Sequence, residues 1–186
     1  NIIALLAKKL SKWKPPIVIA ERANPYHTNG VLGKLRDVLC RYADGAVFQT
    51  EQAQTYYKNI IKCSSVVLKN PLNPDFQVEP FDGTRTNRIV CVGRLSSEKN
   101  QRLLMDAFAE IAQDFPDYTV EFYGDGPLKE ELMQHIEELG MQRRIYLMGR
   151  KDRVQDHIKD AACFVLPSNS EGMPNALLEA MALGIP

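Results

Sequence analysis

Arg88-Ile89-Val90-Cys91-Val92-Gly93-Arg94-Leu95-Ser96-Ser97-Glu98-Lys99-Asn100 passes from a continuous apolar run to a polar turn and then to a segment of helical periodicity. The apolar run reads as a strand buried on both faces, and the pattern beyond it predicts a helix over about 100–113. The same alternation recurs three times. A strand at Tyr118–Tyr123 precedes a helix over about 127–139. A strand at Ile145-Tyr146-Leu147-Met148 precedes a helix near 152–160, and Cys163-Phe164-Val165-Leu166 precedes a helix over about 174–183. Apolar strands that each lead into a helix predict an α/β fold, a Rossmann-like parallel sheet with helices on both faces. Such sheets bind ligands beyond the C-terminal strand ends, where the strand order reverses, so the polar segments after the strands are where function is sought.

Upstream, a shorter series has the same character. The first fourteen residues carry apolar and basic positions at helical spacing, and Pro15-Pro16 ends that helix. Ile17-Val18-Ile19-Ala20 reads as a strand, followed by a helix over about 30–43, a strand at Ala46-Val47-Phe48, a helix over about 51–60 and a strand at Ser65-Val66-Val67-Leu68. Asn70-Pro71-Leu72-Asn73-Pro74 breaks regular structure, and a Gly- and charge-containing stretch runs to Asn87. The expected organisation is a first domain portion over 1–74, a linker over 75–87 and a second domain over 88–186. Charge follows the same division. Residues 1–74 hold 11 Lys or Arg against 4 Asp or Glu, residues 75–186 hold 12 against 19, and the whole chain is neutral. A basic half is drawn to anionic lipid or phosphate.

The bulk composition, 45% hydrophobic and 25% charged over 186 residues, is that of a globular chain with no low-complexity tract or repeat. No apolar run approaches the roughly 20 residues that cross a bilayer. Cys40, Cys63, Cys91 and Cys163 form no C-x-x-C pair and read as reduced thiols of a cytoplasmic protein. His27, His135 and His157 do not cluster at ligand spacing, so no metal site is expected. Both ends read as cut. Asn1 opens directly into an apolar run, and Gly184-Ile185-Pro186 approaches a further element, which marks a fragment of a longer protein. Lys8, Lys9, Lys12 and Lys14 follow the apolar stretch instead of preceding it, unlike a signal peptide. An interfacial helix and an ordinary surface helix with cations at its C-terminal end both fit this segment.

Two polar segments carry candidate chemistry. In Gly93–Asn100, Gly93 permits a tight turn and close backbone approach, Arg94 and Lys99 can converge on one anion, and the helix starting near Asn100 adds its positive end. A merely solvated basic loop fits the same residues. In Ser168-Asn169-Ser170-Glu171-Gly172-Met173-Pro174-Asn175, Pro174 suits a first helical turn and the backbone N–H groups near Gly172–Asn175 form an anion or hydroxyl site. Glu171 precedes the helix, and Glu179 lies two turns along it in apolar surroundings. A carboxylate there needs hydrogen bonds, which the two hydroxyls of a ribose supply; a salt-bridged surface glutamate is the other reading.

Glu171 and Glu179, with seven residues between them in Ser-Glu-Gly-Met-Pro-Asn-Ala-Leu-Leu-Glu-Ala-Met-Ala, resemble the E-x7-E signature of the GT-B retaining glycosyltransferase family 4, the group 1 glycosyltransferases. Gly93–Asn100 resembles that family's phosphate loop, and Gly124-Asp125-Gly126-Pro127 and Met148-Gly149-Arg150 match further elements in the family's order. The resemblance covers most of the family's C-terminal, donor-binding domain. Residues 1–74 would then be the last part of the acceptor-side domain. It implies that Arg94 and Lys99 hold the donor diphosphate and stabilise the leaving nucleotide, and that Glu171 contacts sugar hydroxyls. Gly93 and the N–H groups of Gly172, Met173 and Asn175 around Pro174 would hold phosphate and sugar, Glu179 the ribose, and Arg150 the base pocket. Family members of this fold need no bound metal or cofactor, and no Asp-x-Asp occurs here.

The first half is a partial match. Glu21-Arg22-Ala23-Asn24-Pro25 resembles an E-R-x-N-P segment of bacterial members that build polysaccharides and lipid-linked oligosaccharides, which makes Glu21, Arg22 and Asn24 candidates for the acceptor cleft. An ion pair stabilising the turn is the alternative for Glu21 and Arg22. His27 is displaced from the family's His and is given no catalytic role. The implied activity is transfer of a sugar from UDP-hexose or UDP-N-acetylhexosamine to a glycan or lipid-linked acceptor, in the cytoplasm or peripherally at the inner face of the plasma membrane, with no nucleic-acid partner. The fragment alone is expected to be inactive. A non-catalytic nucleotide-binding module, a same-fold epimerase and a phosphorylase remain as alternatives.

Overall fold

The computed structural model describes residues 1–27, 30–76, 79 and 81–186, with the backbone alone at His27. The chain divides into two units, one formed by Asn1–Pro71 with Ser170–Met173, the other by Leu72–Asn169 with Pro174–Pro186.

The first unit runs α1 (Ile2–Leu10), β1 (Val18–Glu21), α2 (Gly30–Cys40), β2 (Gly45–Phe48), α3 (Glu51–Tyr57) and β3 (Ser65–Val67). Its strands are parallel in the order β1-β2-β3. Strand alternation sends Ile19, Ala46 and Phe48 to one face, where Leu5 of α1, Leu39 and Cys40 of α2, and Ala53 and Tyr57 of α3 close over them. Val18 and Val66, on alternate positions, are exposed. Thr50 caps α3 by accepting from the Ala53 N–H at 3.1 Å, a bond that satisfies one orphan donor of the first turn. Asp44 accepts from the Ile17 N–H at 2.6 Å and pairs with Lys8, so one carboxylate ties α1, the start of β1 and the turn before β2.

The second unit holds β4 (Thr86–Val92), α4 (Gln101–Ile111), β5 (Thr119–Tyr123), α5 (Lys129–Glu138), β6 (Ile145–Gly149), α6 (Val154–Ile158), β7 (Ala161–Phe164) and α7 (Asn175–Ala182). Its sheet is parallel with order β6-β5-β4-β7. Growth runs outward from β4 through β5 to β6 and then returns to the other side of β4, so the reversal falls between β4 and β7. Both faces are covered. Cys91, Val120 and Phe122 pack under Leu104, Met105 and Phe108 of α4 and Leu132 and Ile136 of α5. Their neighbours Val90, Tyr123 and Phe164 pack with Ile158 of α6 and Ala180 and Leu183 of α7. Adjacent residues of one strand serve opposite layers, which is why the runs read as apolar throughout.

Several boundaries differ from the sequence expectation. β7 begins at Ala161 and ends at Phe164, because Thr86 pairs with Ala161 and the register shifts before Ile89 meets Cys163. α6 spans only Val154–Ile158. Within the stretch expected as a linker, Phe76 is buried against Val90, Tyr123 and Ile158, and β4 already begins at Thr86. Arg88 crosses the sheet surface, donating to Glu121 at 2.8 Å and Asp160 at 2.5 Å, and Tyr123 donates to the same Glu121 oxygen at 2.7 Å.

The glycine whose absent side chain matters most is not Gly93. A Cβ there would meet only the Lys99 stem, at 3.8 Å and beyond, in ordinary contact. The close approach falls on the next loop: a Cβ on Gly124 (φ 146°) would lie 2.0 Å from the Gly93 carbonyl oxygen, and one on Gly126 would lie 2.3 Å from the Leu95 carbonyl oxygen. Gly124→Ala is therefore expected to lower stability by about 2 kcal/mol or more, through strain and backbone displacement. Gly93→Ala should unfold within about 1 kcal/mol of the parent. Urea denaturation of the two variants side by side checks this.

Candidate functional site

The loop after β4 is shaped by its own backbone. Leu95 N–H donates to the Asp125 carbonyl at 3.1 Å, Lys99 N–H donates to the Ser96 carbonyl at 3.0 Å, and Gln101 Nε2 donates to the Arg94 carbonyl at 2.8 Å. Asn100 takes a left-handed conformation (φ 47°, ψ 45°) at the N-terminus of α4 and spends its side chain on Asn169, donating to its Oδ1 at 2.9 Å. Asn169 in turn donates from its backbone to the Glu98 carbonyl at 2.9 Å and from its side chain to the Ser97 carbonyl at 3.2 Å. The loops after β4 and β7 are thus stitched at the point where the strand order reverses. Its own backbone N–H and then the Ser96 hydroxyl hold the Glu98 carboxyl below its ordinary range.

At these strand ends a cavity of about 160 Å³ is lined by Val92, Gly93, Tyr123, Gly124, Arg150, Lys151 and Val154. Gly93 and Arg150, far apart in sequence, meet there, and the aliphatic stem of Lys99 lies against Gly93. Arg94 is exposed on the same loop. The positive φ of Gly149 (68°) turns the chain out of β6, and its carbonyl accepts from the Gly124 N–H at 3.0 Å, so the three loops share one scaffold. Gly124 was read only as part of a family element with no role assigned, and Tyr123, Lys151 and Val154 were not singled out from the sequence. Their signal was positional, since each follows or ends an apolar strand.

Glu179, on α7, is half-buried, and burial raises its carboxyl above the ordinary range. It has no ion-pair or hydrogen-bond partner for its side chain among the described residues, which removes the reading of a salt-bridged surface glutamate. Pro174 is the residue before α7, with extended ψ (102°), not part of its first turn. Its carbonyl accepts from the Leu177 and Leu178 N–H groups, each at 3.2 Å. Ser168 Oγ is buried without a hydrogen-bond partner among the described residues.

Ser170–Met173, including Glu171, group with the first unit, whereas Pro174, Asn175 and Glu179 belong to the second. A Cβ on Gly172 would lie 2.1 Å from the Arg22 carbonyl oxygen, and Met173 Sδ accepts from the Asn70 N–H at 3.3 Å. The candidates of the first half have local partners. Glu21 accepts from the Ala23 N–H and from the Tyr57 hydroxyl, both at 3.3 Å, and Asn24 accepts from the Tyr26 N–H at 3.1 Å. Both side chains therefore stabilise the turn after β1, by hydrogen bonds instead of a Glu21–Arg22 ion pair. With the Gln49 amide oriented to satisfy both its ends, Arg22 Nε donates to it at 3.1 Å. The His27 side chain lies outside the described residues.

Burial raises the Cys40 thiol to about 11 and the Cys91 thiol to about 12, which leaves both un-ionised and unreactive near neutrality. Among the described residues no group of three His, Cys, Asp or Glu side chains is placed to hold a metal ion, and no helix is long and apolar enough to cross a membrane.

Two parallel α/β units, the second with stitched loops at its strand reversal, define the GT-B architecture. Residues 74–186 match the family model of glycosyl transferases group 1, and the protein belongs to that family. It is 27% identical over 183 residues to the Campylobacter jejuni GalNAc-alpha-(1->4)-GalNAc-alpha-(1->3)-diNAcBac-PP-undecaprenol alpha-1,4-N-acetyl-D-galactosaminyltransferase, across 96% of this chain and 50% of that one. It is 34% identical over 113 residues to the Escherichia coli UDP-Gal:alpha-D-GlcNAc-diphosphoundecaprenol alpha-1,3-galactosyltransferase, across 58% of this chain and 29% of that one. A structure of S. aureus TarM in complex with Fondaparinux, alpha-GlcNAc-glycerol and UDP superimposes with a TM-score of 0.82 at 16% identity, covering 100% of this chain and 39% of that one. The chain spans about half the length of the curated relatives it matches, from 39% to 54% for the first three.

The raised carboxyl of Glu179 fixes the sign of a pH effect. Folding favours its protonated form, so its ionisation erodes stability as pH rises from the ordinary carboxylate range through the raised folded value. Glu179→Gln lacks that erosion. Thermal midpoints measured from acid to neutral pH should show the variant gaining on the parent across that window and keeping a constant lead above it.

Proposed function

We propose that this chain is part of a retaining, metal-independent family 4 glycosyltransferase that moves a hexose or N-acetylhexosamine from its UDP-activated form to a lipid-linked glycan. The observation that carries the reading is the cavity at the C-terminal strand ends of the second unit, where Gly93 and Arg150 meet beside Lys99. The names of two relatives support it, since both carry an undecaprenyl diphosphate acceptor and one a UDP-galactose donor. UDP in the TarM complex supports the choice of nucleotide.

In this reading residues 88–186 form the donor side and residues 1–74 the acceptor side, with the acceptor presented from the cytoplasmic face of a membrane. Arg94 and Lys99 hold the diphosphate, and Arg150 with Lys151 borders the base. The unpartnered carboxylate of Glu179 accepts from the ribose hydroxyls, which relieves the cost of its burial. The N–H groups of Gly172, Met173 and Asn175 face the distal phosphate and sugar; Pro174, between them, has none to give. Glu171 accepts from sugar hydroxyls. The bond from the anomeric carbon to the phosphate oxygen breaks and its electron pair leaves with the nucleotide, while the acceptor hydroxyl oxygen bonds to the same face of the sugar and its proton passes to the departing diphosphate oxygen. Cations fixed at the leaving oxygen stabilise the charge as it develops, the role a divalent ion would otherwise fill.

Calorimetric titration with UDP, GDP and ADP in EDTA tests the site. UDP is expected to bind preferentially, and Glu179→Ala to weaken it by about tenfold or more through loss of charge-assisted hydrogen bonds. Arg94→Ala should slow sugar transfer by about 100-fold in the whole enzyme. A folded chain that binds none of the three nucleotides would overturn the reading.

A further inference from the structure

The geometry points to Gln101 as a positioning residue for the proposed diphosphate site, acting through Arg94. Gln101 is the first residue of α4 and is only 2% exposed. Its side chain reaches back along the loop, where Nε2 donates to the Arg94 carbonyl at 2.8 Å. The N–H of the same peptide unit, that of Leu95, donates to the Asp125 carbonyl at 3.1 Å. A peptide unit is planar, so the Arg94–Leu95 link is pinned at both ends. Arg94 itself is exposed, between Gly93 and the buried pair Leu95 and Ser96. Electrostatic stabilisation needs a charge held within about 0.5 Å of its productive place, which a loop backbone free to turn does not provide. Gln101 removes that freedom at the residue that carries the charge.

Packing does not account for an amide at this place. Gln101 Oε1 is buried without a hydrogen-bond partner among the described residues, a destabilising arrangement. Methionine would fill the same space with no orphaned oxygen. What only the amide supplies is the donor. Ser96 Oγ also lies 3.3 Å from the Arg94 carbonyl, but it has one proton, and the Glu98 carboxylate competes for it. The next four carbonyls of the loop are engaged as well. Leu128 N–H meets that of Leu95 at 3.2 Å, Lys99 N–H that of Ser96 at 3.0 Å, and Asn169 those of Ser97 at 3.2 Å and Glu98 at 2.9 Å. Five consecutive carbonyl dipoles are therefore held by the protein, none left to swing its negative end toward a diphosphate. Among these donors Gln101 is the fully buried side chain. The role rests on the transferase reading, in which Arg94 holds the donor diphosphate.

Calorimetric titration with UDP in EDTA compares the parent chain with Gln101→Met, Arg94→Ala and the double variant. Gln101→Met should melt close to the parent, because the lost donor and the removed orphan acceptor offset each other. It should nonetheless bind UDP about tenfold more weakly. In the Arg94→Ala background the same substitution should change UDP affinity by less than about twofold, since the group it positions is gone. Gln101→Glu keeps the shape, but its ionised carboxylate has no proton to donate, and it should lose at least as much affinity. In the whole enzyme Gln101→Met should lower kcat about tenfold and move the donor KM less than about threefold, because Arg94 meets the most charge as the nucleotide leaves. Parent-like UDP affinity in both Gln101 variants, an equal loss with and without Arg94, or an unchanged kcat would overturn the positioning role and leave the transferase reading standing. Loss of the fold in both variants would make the amide a folding requirement and equally overturn it. A folded parent chain that binds no nucleotide would sink the transferase reading, and this role with it.

Discussion

The carbonyl oxygens of Gly93 and Leu95 occupy space that side chains on the following loop would need. Gly124 and Gly126 supply the absence, and their backbones close against the end of β4 at distances no Cβ tolerates. The rest of the second unit's functional end depends on that approach. With the loops after β4 and β5 in contact, the Gly149 carbonyl can reach the Gly124 N–H, and the loop after β6, carrying Arg150, joins the same scaffold. Asn169 then ties the loop after β7 to the Ser97 and Glu98 carbonyls. Four loops separated by a whole strand and helix each are held largely by backbone groups, which sets Gly93 and Arg150 around one cavity with the Lys99 stem against Gly93.

The two units handle charge in opposite ways. In the second, Arg88, Glu121 and Asp160 neutralise one another in a half-buried network on the sheet, and the one carboxylate left without a partner among the described residues in an apolar setting is Glu179 on α7. Burial makes that ionised carboxylate unfavourable unless a hydroxyl-bearing ligand supplies hydrogen bonds, so stability is given up where binding can recover it. In the first unit Glu21, Asp37 and Asp44 are engaged internally. Asp44 staples α1 to the sheet, and Asp37 holds Arg36 and the Tyr56 hydroxyl.

The sequence disclosed the second unit more fully than the first because its strands are buried on both sides. Val90 and Cys91 face different layers, and a run that is apolar at every position admits few other readings. Segment ends were less legible. The shift of β7 to Ala161–Phe164 arises from its pairing with Thr86 across a register change, and Pro174 stands before α7 because its carbonyl, not its ring, starts the helix. Gly93 drew attention as the glycine of a recognisable loop, yet it is Gly124 whose neighbours exclude a side chain. A glycine's necessity is set by what lies across from it, and the chain does not record that.

What the sequence determined by itself is the series of strands and helices, the polar loops at their junctions, the family to which those loops belong and the unequal division of charge. All are local properties, fixed by hydrophobic period, turn chemistry and residue type within short windows. Tertiary structure alone decided which loops meet, and that Glu179 lacks a partner while Glu21 and Asn24 are occupied by their own turn. Those outcomes depend on packing between segments far apart in the chain, where one carbonyl oxygen or one neighbouring carboxylate settles whether a residue is free to act.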